Sequence, residues 1–466
     1  MRAQPGPYTA AQIASACKGR IMSGEPSATF HGVCTDSREV RENDLFVPLK
    51  GTSFDGHDFL IPALEAGARG SLFDRDAHRV SPLKLHSHVL IQVQDTLLAL
   101  SDLASTHRRL YTFPLIAVTG SSGKTTVKEM IATVLGRSHR PLVSEGNYNN
   151  LIGLPMTLLN LSPQHTAAVV EAGINVMGEM DILARTAAPD VAVITSIGPV
   201  HLEGLGSVEN VAREKFGLVR ALPPLGIAVI PAAHAHLGPL ICESPCKAIF
   251  FGVESGDFRA QDVQLGEQTA FTMIYPEGTC RMTLQVPGIH NVANALAAAA
   301  ACRAVGVPVE QIAAALEGFS APRWRMETVP LGPGRVLIKD CYNANPDSMA
   351  AALEVLAGTR GSGRTLAILA DMRELGEHAQ KLHQDLGRQA ADLGIDAVVF
   401  VGAYRESFAR GFLDAGVSAE RLITAEDKDT AWEAISQSVS EYSAVLVKGS
   451  RFTRMEVIAD RIVEMH

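Results

Sequence analysis

The chain lacks an excess of positive charge. Its 466 residues include 41 lysines and arginines against 50 aspartates and glutamates, which gives a formal net charge of −9. Binding to nucleic acid usually requires a basic surface, so we expect no nucleic-acid partner and find no sign of an anionic-membrane partner. Any anionic ligand must therefore be held by local groups rather than by the overall field of the protein.

Long apolar runs and paired cysteines are also missing. The most apolar stretch without a charge, residues 291–302, is too short and too rich in alanine to span a bilayer, and the N-terminus has no signal pattern. The seven cysteines are scattered, and the CxxxC pair Cys242 and Cys246 is not followed by a second pair at zinc spacing. These absences predict a cytoplasmic protein with free thiols and no membrane association.

The most informative stretch that is present covers residues 115–135. An apolar run is followed by a loop rich in glycine and serine, then by Lys124-Thr125-Thr126 and an amphipathic helical pattern. A strand, a glycine-rich loop and a helix start form a cradle for phosphate, with Lys124 on the terminal phosphates and the Thr125 hydroxyl near magnesium. The full signature would need a glycine where Val118 stands, so an ordinary strand-to-helix turn is the alternative.

Strand-like runs alternate with helical patterns along much of the chain, which predicts an α/β fold with largely parallel sheets and helices on both faces. The length fits three domains. We expect a smaller N-terminal α/β domain (1–112), a central, mainly parallel sheet domain with the phosphate loop (113–321) and a C-terminal Rossmann-like α/β domain (322–466). The predicted strands are residues 115–119, 167–170, 191–195, 227–230 and 248–251 in the central domain, and 336–339, 366–369, 397–401 and 444–447 in the C-terminal domain.

Charged or ionisable side chains follow three of the central strands. They are Lys124, Glu171 and His201. Because ligands of parallel sheets bind beyond the carboxyl ends of the strands, Glu171 and His201 together with Thr125 would suit a magnesium ion that also binds phosphate oxygens. A salt bridge or cap for Glu171 and a packed or surface position for His201 are the plainer interpretations.

Three further residues are ambiguous from the pattern alone. Lys215 lies in a helical stretch with charged neighbours and reads as a solvated lysine. Asn291 and Asn294 share one face of the alanine-rich helix, where an amide could bind an adenine edge or simply cap the helix.

Motifs in all three regions, in order, make the chain resemble the Mur ligases, the ATP-dependent amide-forming enzymes of peptidoglycan synthesis. The motifs are D-S-R at 36–38, F-D-G-H at 54–57, the short T-G-x-x-G-K-T-T loop, G-N-Y-N-N at 146–150, E-A-G at 171–173, H-L-E at 201–203, Lys215, P-G-x-H-N at 287–291, Y-N-A-N-P-x-S-M at 342–349 and K-G-S-R at 448–451. This family uses the shorter loop, which accounts for Val118. The run at 342–349 discriminates best between members.

The resemblance implies a reaction. D-alanyl-D-alanine would be joined to UDP-N-acetylmuramoyl-tripeptide through an acyl phosphate made from ATP, giving the UDP-muramyl-pentapeptide precursor of peptidoglycan. We expect a monomer whose C-terminal domain closes on the nucleotide. The rivals are a sister ligase that adds a single amino acid, a phosphate-loop kinase or nucleotide switch, and a non-catalytic binding protein.

The resemblance also implies roles for individual residues. Lys124, Glu171, His201 and Lys215 would be catalytic, with Thr125, Glu171, His201 and a carbamylated Lys215 holding magnesium. The remaining positions fall into three sets: Gly120, Ser121, Ser122, Gly123, Lys124, Thr125, Thr126, Asn291, Arg325 and Asp340 for ATP; Ser37, Arg38, Thr52, Ser53, Asn147 and Asn150 for the UDP-muramyl-peptide; and Asn343, Asn345, Ser348 and Lys448 for the dipeptide.

Overall fold

The computed structural model describes residues 1–51, 53–74, 88–266, 268–359 and 363–465. Within these ranges, three six-stranded sheets follow one another along the chain, one in each of the three predicted regions, together with two smaller antiparallel sheets. The predicted α/β class with three sheet domains is therefore confirmed, whereas the exact domain boundaries stay a prediction. No helix in the described part of the chain combines the length and the apolar character needed to cross a membrane.

The N-terminal sheet has the order β1-β5-β6-β7-β8-β3. Its four inner strands pair in parallel, and an antiparallel strand closes each edge. The strands are β1 (Arg2–Ala3), β2 (Tyr8–Thr9), β3 (Arg20–Ser23), β4 (Thr29–Phe30), β5 (Gly32–Cys34), β6 (Asp44–Phe46), β7 (Gly70–Phe73) and β8 (Val89–Gln92), and the helices are α1 (Ala10–Ala16), α2 (Leu60–Glu65) and α3 (Thr96–Arg108). Strands β2 and β4 form a separate antiparallel pair.

The central sheet has the order β10-β11-β9-β12-β13-β14, and every pair in it is parallel. Its strands are β9 (Leu115–Thr119), β10 (Pro141–Val143), β11 (Ala167–Glu171), β12 (Val191–Ile194), β13 (Ile227–Pro231) and β14 (Lys247–Phe251). The five predicted strands are confirmed to within one residue at each end. β10 was not predicted.

Helices cover both faces of this sheet, as predicted. Ile116 and Val118 of β9 pack into one hydrophobic core, while Leu115 and Ala117 pack into another on the opposite face. A strand buried on both faces reads as a continuous apolar run, which explains why these strands were recognisable. The helices are α4 (Lys124–Leu135), α5 (Gly153–Leu158), α6 (Glu179–Ala187), α7 (Leu202–Leu205), α8 (Val208–Arg220), α9 (Gly238–Ile241), α10 (Ile289–Ala304) and α11 (Val309–Glu317).

A three-stranded antiparallel sheet adjoins the central domain and was not predicted. It consists of β15 (Arg259–Gln264), β16 (Thr269–Tyr275) and β17 (Gly278–Leu284). Phe271, Met282 and Leu284 of this sheet pack into the same core as helix α10. Its strands carry polar residues on their outer face, which masked their apolar signal.

The C-terminal sheet has the order β18-β19-β23-β20-β21-β22, parallel except for the edge strand β18. Its strands are β18 (Glu327–Pro330), β19 (Val336–Asp340), β20 (Thr365–Ala370), β21 (Ala397–Val401), β22 (Leu422–Ala425) and β23 (Ala444–Lys448). Its helices are α12 (Pro346–Gly358), α13 (Ala379–Asp392), α14 (Arg405–Asp414), α15 (Lys428–Ile435) and α16 (Glu456–Glu464). The four predicted strands are again confirmed to within one residue at each end.

Helices α13 and α14 pack so closely that glycine is required between them. A Cβ atom on Gly411 of α14 would lie 1.8 Å from the carbonyl oxygen of Gln384 in α13, and one on Gly387 would lie 2.1 Å from the carbonyl oxygen of Phe408. Such an approach is far inside van der Waals contact with backbone that is itself fixed by packing.

We therefore expect Gly411→Ala to destabilise the C-terminal domain by about 1–3 kcal/mol or more, because the added methyl forces the two helices apart. Urea denaturation followed by circular dichroism measures the change. Gly358→Ala is the control, since a Cβ there meets nothing within 4 Å. Equal stability of the two variants would show that the helices separate without cost.

Candidate active site

The phosphate loop connects β9 to α4, and two glycines set its shape. Gly120 and Gly123 have φ angles of +152° and +82°, which L side chains rarely adopt. A Cβ on Gly120 would lie 1.9 Å from Oγ1 of Thr195, so the segment after β12 also leaves no room for a side chain at position 120. The Ser121 amide donates to the carbonyl of Ser196 at 2.9 Å, which fixes the loop against the end of β12.

Lys124 is the first residue of α4, and its Nζ donates to the carbonyl of Gly120 at 2.8 Å. Burial lowers the pKa of Lys124, and the nearby Arg325 adds to the effect while Glu171 opposes it. The fold brings Arg325 of the C-terminal region near Lys124 at the loop, so the two cations repel each other. A polyphosphate would relieve that repulsion.

Buried Thr125 and Glu171 form a hydrogen-bonded group with half-buried Asn149. Oγ1 of Thr125 donates to Oε2 of Glu171 at 2.7 Å, and Nδ2 of Asn149 donates to Oε1 at 2.8 Å. Glu171 is the last residue of β11 rather than the residue after it, and its side chain is 2% exposed. Asn149 was not selected from the sequence, although it lies inside the 146–150 motif.

Lys215 is not a solvated lysine, so the reading from pattern alone was wrong. It lies on α8 with 0% exposure, and its Nζ has no hydrogen-bond partner. Its pKa is well below the ordinary value, chiefly because of burial and then because of repulsion by Lys124, with Glu171 and Glu214 acting in the opposite direction. Lys215 therefore lies within electrostatic range of Lys124 and Glu171.

His201 is the N-cap residue of the short helix α7 and has a left-handed φ of +51°. Its Nδ1 donates to the carboxylate of Glu374, which belongs to the C-terminal domain. This hydrogen bond is the main cause that holds the pKa of Glu374 below its usual range. Glu374 was not selected as a site residue, although it lies in the polar segment 371–376 at the end of a predicted strand.

The residues present fit a magnesium ion that shares its coordination with a nucleotide. Thr125 and Glu171 place two hard oxygen donors 2.7 Å apart, and the orphaned Nζ of Lys215 lies in the same group of charges. Across the described ranges, no three His, Cys, Asp or Glu side chains come together as a metal cluster. The ion would therefore take its other ligands from phosphate and water, as magnesium commonly does.

The positions assigned to the nucleotide outside the loop already have partners in the chain. Nδ2 of Asn291 donates to the carbonyl of Pro287 at 2.8 Å, and its Oδ1 accepts from Asn294 at 3.1 Å. The guanidinium of Arg325 lies over the Tyr342 ring, 3.9 Å from its centroid. These contacts fix the orientation of Asn291 and Arg325 but leave their predicted roles open.

Asp340 and Lys448 form a buried pair inside the C-terminal domain. Nζ of Lys448 donates to Oδ2 of Asp340 at 2.5 Å and to the carbonyl of Asn343 at 3.1 Å, while Oδ1 of Asp340 accepts from the amide of Met326 at 3.1 Å. Lys448 is 1% exposed. The pair thus anchors the segment that enters the C-terminal domain, and Asn343 is exposed beside it.

Asn345 and Ser348 form a capping box at the start of α12, and Asn345 also reaches the phosphate loop. Its Nδ2 lies 3.1 Å from Oγ of Ser122 and 3.4 Å from the carbonyl of Ser121. The first turn of a C-terminal-domain helix is thereby held directly against the loop. Of the four residues predicted to bind the dipeptide, Asn345 is the one that these contacts bring to the phosphate loop.

The positions assigned to the UDP-muramyl-peptide lie in two places. Arg38 is exposed and pairs with Asp36, and this pairing holds the pKa of Asp36 well below its usual range; Ser37 lies between them and Ser53 is exposed. Thr52 lies outside the described residues. Asn147 is exposed, whereas Oδ1 of Asn150 accepts from the amides of Ile152 and Gly153 at the start of α5.

Comparison with known protein families shows which proteins this chain is similar to. Three family models match the chain: the Mur ligase family catalytic domain over residues 29–108, the Mur ligase middle domain over 118–302 and the Mur ligase glutamate ligase domain over 324–451. The chain is 36% identical over 462 residues to the UDP-N-acetylmuramoyl-tripeptide--D-alanyl-D-alanine ligase of Bacillus subtilis (strain 168), covering 98% of both chains. The chain belongs to the Mur ligase family.

Other relatives of this Mur ligase carry the same name or architecture. The ligase of that name from Escherichia coli (strain K12) is 35% identical, again over 98% of both chains. A crystal structure of MurF from Acinetobacter baumannii is similar with a TM-score of 0.90 and 33% identity, covering 99% of this chain and 100% of that one. MurF from Thermotoga maritima in complex with ADP is similar with a TM-score of 0.81 and 26% identity, covering 93% and 97%.

His290 of this Mur ligase lies at the boundary between the central and C-terminal domains. A Cβ on Gly288 would lie 2.6 Å from Cε1 of His290 and 2.7 Å from Cγ2 of Val355 in α12. Burial lowers the pKa of His290 to about 4, with smaller and opposing effects of Asp340 and Lys448.

We expect the neutral His290 ring to stabilise the protein in a pH-dependent way. Its folded pKa lies below the unfolded value of about 6.5, so the stabilisation is complete above about pH 6.5 and is lost as the pH falls towards 4. Between pH 7 and pH 4, the wild type should lose about 3 kcal/mol more than His290→Gln, which does not titrate. Urea denaturation at each pH measures this, with exposed His378→Gln as the control. Parallel curves for wild type and His290→Gln would contradict it.

Proposed function

We propose that this Mur ligase joins D-alanyl-D-alanine to UDP-N-acetylmuramoyl-tripeptide, with conversion of ATP to ADP and phosphate. The observation that carries the proposal is the contact between Asn345 and the phosphate loop, since it sets a domain with polar strand ends directly against a phosphate cradle. The full-length relatives named for this reaction support it. A kinase or a nucleotide switch would not need this second domain.

The reaction would proceed in two displacements. The free carboxylate of the tripeptide attacks the γ-phosphorus of ATP, forming an acyl phosphate and releasing ADP. The amine of D-alanyl-D-alanine then attacks the acyl carbon, forms the amide, loses its proton and expels phosphate. Lys124 and the amides of the loop would balance the charge on the transferring group, and no enzyme nucleophile is needed.

Thr125, Glu171 and His201 would hold magnesium at this site. When bound, the ion would neutralise negative charge on the phosphate oxygens. The hydrogen bond between Thr125 and Glu171 holds these two oxygen donors 2.7 Å apart. The docked C-terminal domain would exclude water from the acyl phosphate, which hydrolyses readily, and we propose that this domain closes when the substrates bind.

Lys215 would carry a carbamate. A neutral amine forms this group by adding to the carbon of carbon dioxide, with a new N–C bond and release of one proton to solvent. The structure favours it because Nζ is buried without a partner and is repelled by Lys124. Carbamate in place of the charged form of Lys215 would turn the repulsion by Lys124 into attraction and would supply a further oxygen donor for magnesium.

The other assignments complete the proposal. Asn291, Arg325 and Asp340 would hold the nucleotide; Ser37, Arg38, Thr52, Ser53, Asn147 and Asn150 would meet the UDP-muramyl-peptide; and Asn343, Asn345, Ser348 and Lys448 would meet the dipeptide. The domains would span residues 1–112, 113–321 and 322–466. We further propose a monomer that acts in the cytoplasm and, through cell-wall synthesis, serves cell shape and cell division.

Phosphate release from MgATP tests the function. With UDP-N-acetylmuramoyl-tripeptide present, D-alanyl-D-alanine should raise the release strongly and the pentapeptide product should appear by mass spectrometry. The Lys124→Ala variant should release none. Phosphate release that ignores the dipeptide would favour the kinase or switch, and no release at all would favour a binding protein.

Lys215→Ala tests the carbamate. We expect activity to fall by about 100-fold or more, because the anion that would hold magnesium and attract Lys124 is lost. Short-chain carboxylates such as acetate should restore part of it by occupying the vacated space. Lys247→Ala, at an exposed lysine of the same domain, is the control. Full activity of Lys215→Ala without added carboxylate would exclude the carbamate.

A further inference from the structure

The hydrogen bond between His201 and Glu374 joins side chains that lie 173 residues apart and belong to different domains. We propose that Glu374 is a positioning residue: from the C-terminal domain, it fixes the tautomer and ring orientation of His201 and so completes the metal site only when that domain is docked. The inference rests on the proposed function for the role of His201 as a metal ligand.

The backbone around this pair holds the two loops together. The amide of Glu203 donates to the carbonyl of Glu374 at 3.2 Å. On the other side, a Cβ on Gly376 would lie 3.4 Å from Cα of Glu203. His201 and Glu374 both have left-handed backbone, with φ of +51° and +63°, and such strain persists only where the surroundings impose it. The backbones of the two loops therefore fit each other in the docked arrangement.

The loop that carries Glu374 is rigid with respect to its own domain. The carboxylate of Asp371 accepts from the amides of Ala403 and Tyr404 at 2.8 and 3.1 Å. The amide of Met372 donates to Nε2 of His383 at 2.9 Å, and the side chain of Leu375 is buried. Glu374 consequently moves with the whole C-terminal domain, and its hydrogen bond with His201 reports whether that domain is docked.

The ion pair between His201 and Glu374 is too weak to hold the two domains together by itself. The His201 and Glu374 side chains are 21% and 55% exposed. Ion pairs with that much solvent access contribute about 0–1 kcal/mol, too little to hold two domains together. Orientation is the effect that such a bond can produce, because it selects which ring nitrogen carries the proton.

The position of the proton on the imidazole ring decides whether His201 can bind a metal ion. With Nδ1 donating to a carboxylate, the neutral ring leaves Nε2 without a proton and able to bind a cation. Histidine ligands of metals commonly donate their second N–H to such a carboxylate, and loss of the partner typically costs 10–100-fold in metal affinity or activity. In this chain, the partner arrives from the domain that would bring the amine substrate.

The tautomer can be read directly in the protein with β,γ-imido-ATP bound, the state in which we propose that the C-terminal domain is docked. Long-range ¹H–¹⁵N correlation spectra of histidine-labelled protein, with His201→Asn to assign the signal, should show His201 with Nδ1 protonated and Nε2 bare. In Glu374→Ala the signal should shift towards the Nε2–H tautomer that free imidazole prefers. Glu377→Ala, three residues along with its side chain 90% exposed, should match the wild type. An unchanged signal in Glu374→Ala, or protons on both nitrogens in the wild type, would overturn the proposal.

Metal affinity provides the second measurement. The dissociation constant of Mn²⁺ in the presence of β,γ-imido-ATP, read from the electron paramagnetic resonance of free Mn²⁺, should rise 10–100-fold in Glu374→Ala and stay constant in Glu377→Ala. Glu374→Gln keeps the size of the side chain and one acceptor, so it should fold like the wild type and show an intermediate rise. Wild-type affinity in both Glu374 variants would overturn the positioning role.

The two proposals fail in different ways. A wild type that releases no dipeptide-dependent phosphate would refute the proposed function yet leave the tautomer result intact. A ligase that works normally with Glu374→Ala, with an unchanged KM for the UDP substrate and an unchanged Mn²⁺ affinity, would refute the positioning role alone. A rise in Mn²⁺ dissociation constant with that KM unchanged supports it, because a general loosening of the fold would change both.

Discussion

The parallel pairing of β11, β9 and β12 is the constraint on which the site depends. Because the three strands run side by side in one direction, Glu171, the phosphate loop and the segment after β12 meet at one edge of the sheet. The loop is then fixed from its neighbours: Ser196 accepts its Ser121 amide, and Thr195 leaves room only for a glycine at position 120. Helices on both faces bury these strands, so the edge cannot shift without disrupting two hydrophobic cores.

The charges at this edge are arranged for a ligand rather than for the folded chain alone. Lys124 is repelled by Arg325, and the charged form of Lys215 is repelled by Lys124; Glu171 opposes both effects, and Glu214 opposes the second. Burial at 0% exposure without a hydrogen-bond partner, together with repulsion by Lys124, disfavours the charged form of Lys215. Local repulsion of this kind also explains how a protein of net negative charge can attract a polyphosphate.

The C-terminal domain meets this edge at separate points. Asn345 bonds the phosphate loop from the first turn of α12, and Glu374 bonds His201 from the loop after β20. The covalent link between the domains is fixed as well, because Asp340 accepts from the Met326 amide while Lys448 neutralises Asp340. Trp324 and Met326 in that link have left-handed backbone, with φ of +62° and +55°, which marks a chain path imposed by its contacts.

Much of the architecture was determined by the sequence itself. Strands buried on both faces require continuous apolar runs, so five central and four C-terminal strands were predicted to within one residue at each end. The glycine-rich loop between β9 and α4 was predicted from its residue types. Polar or short strands such as β10 and β15 carry no such signal and were missed. Only the tertiary structure decided that Lys215 is buried, since a charged helical pattern does not say which face packs inward. It also decided the partners of His201 and Lys448, because bonds that join residues over 100 positions apart leave no trace in local sequence.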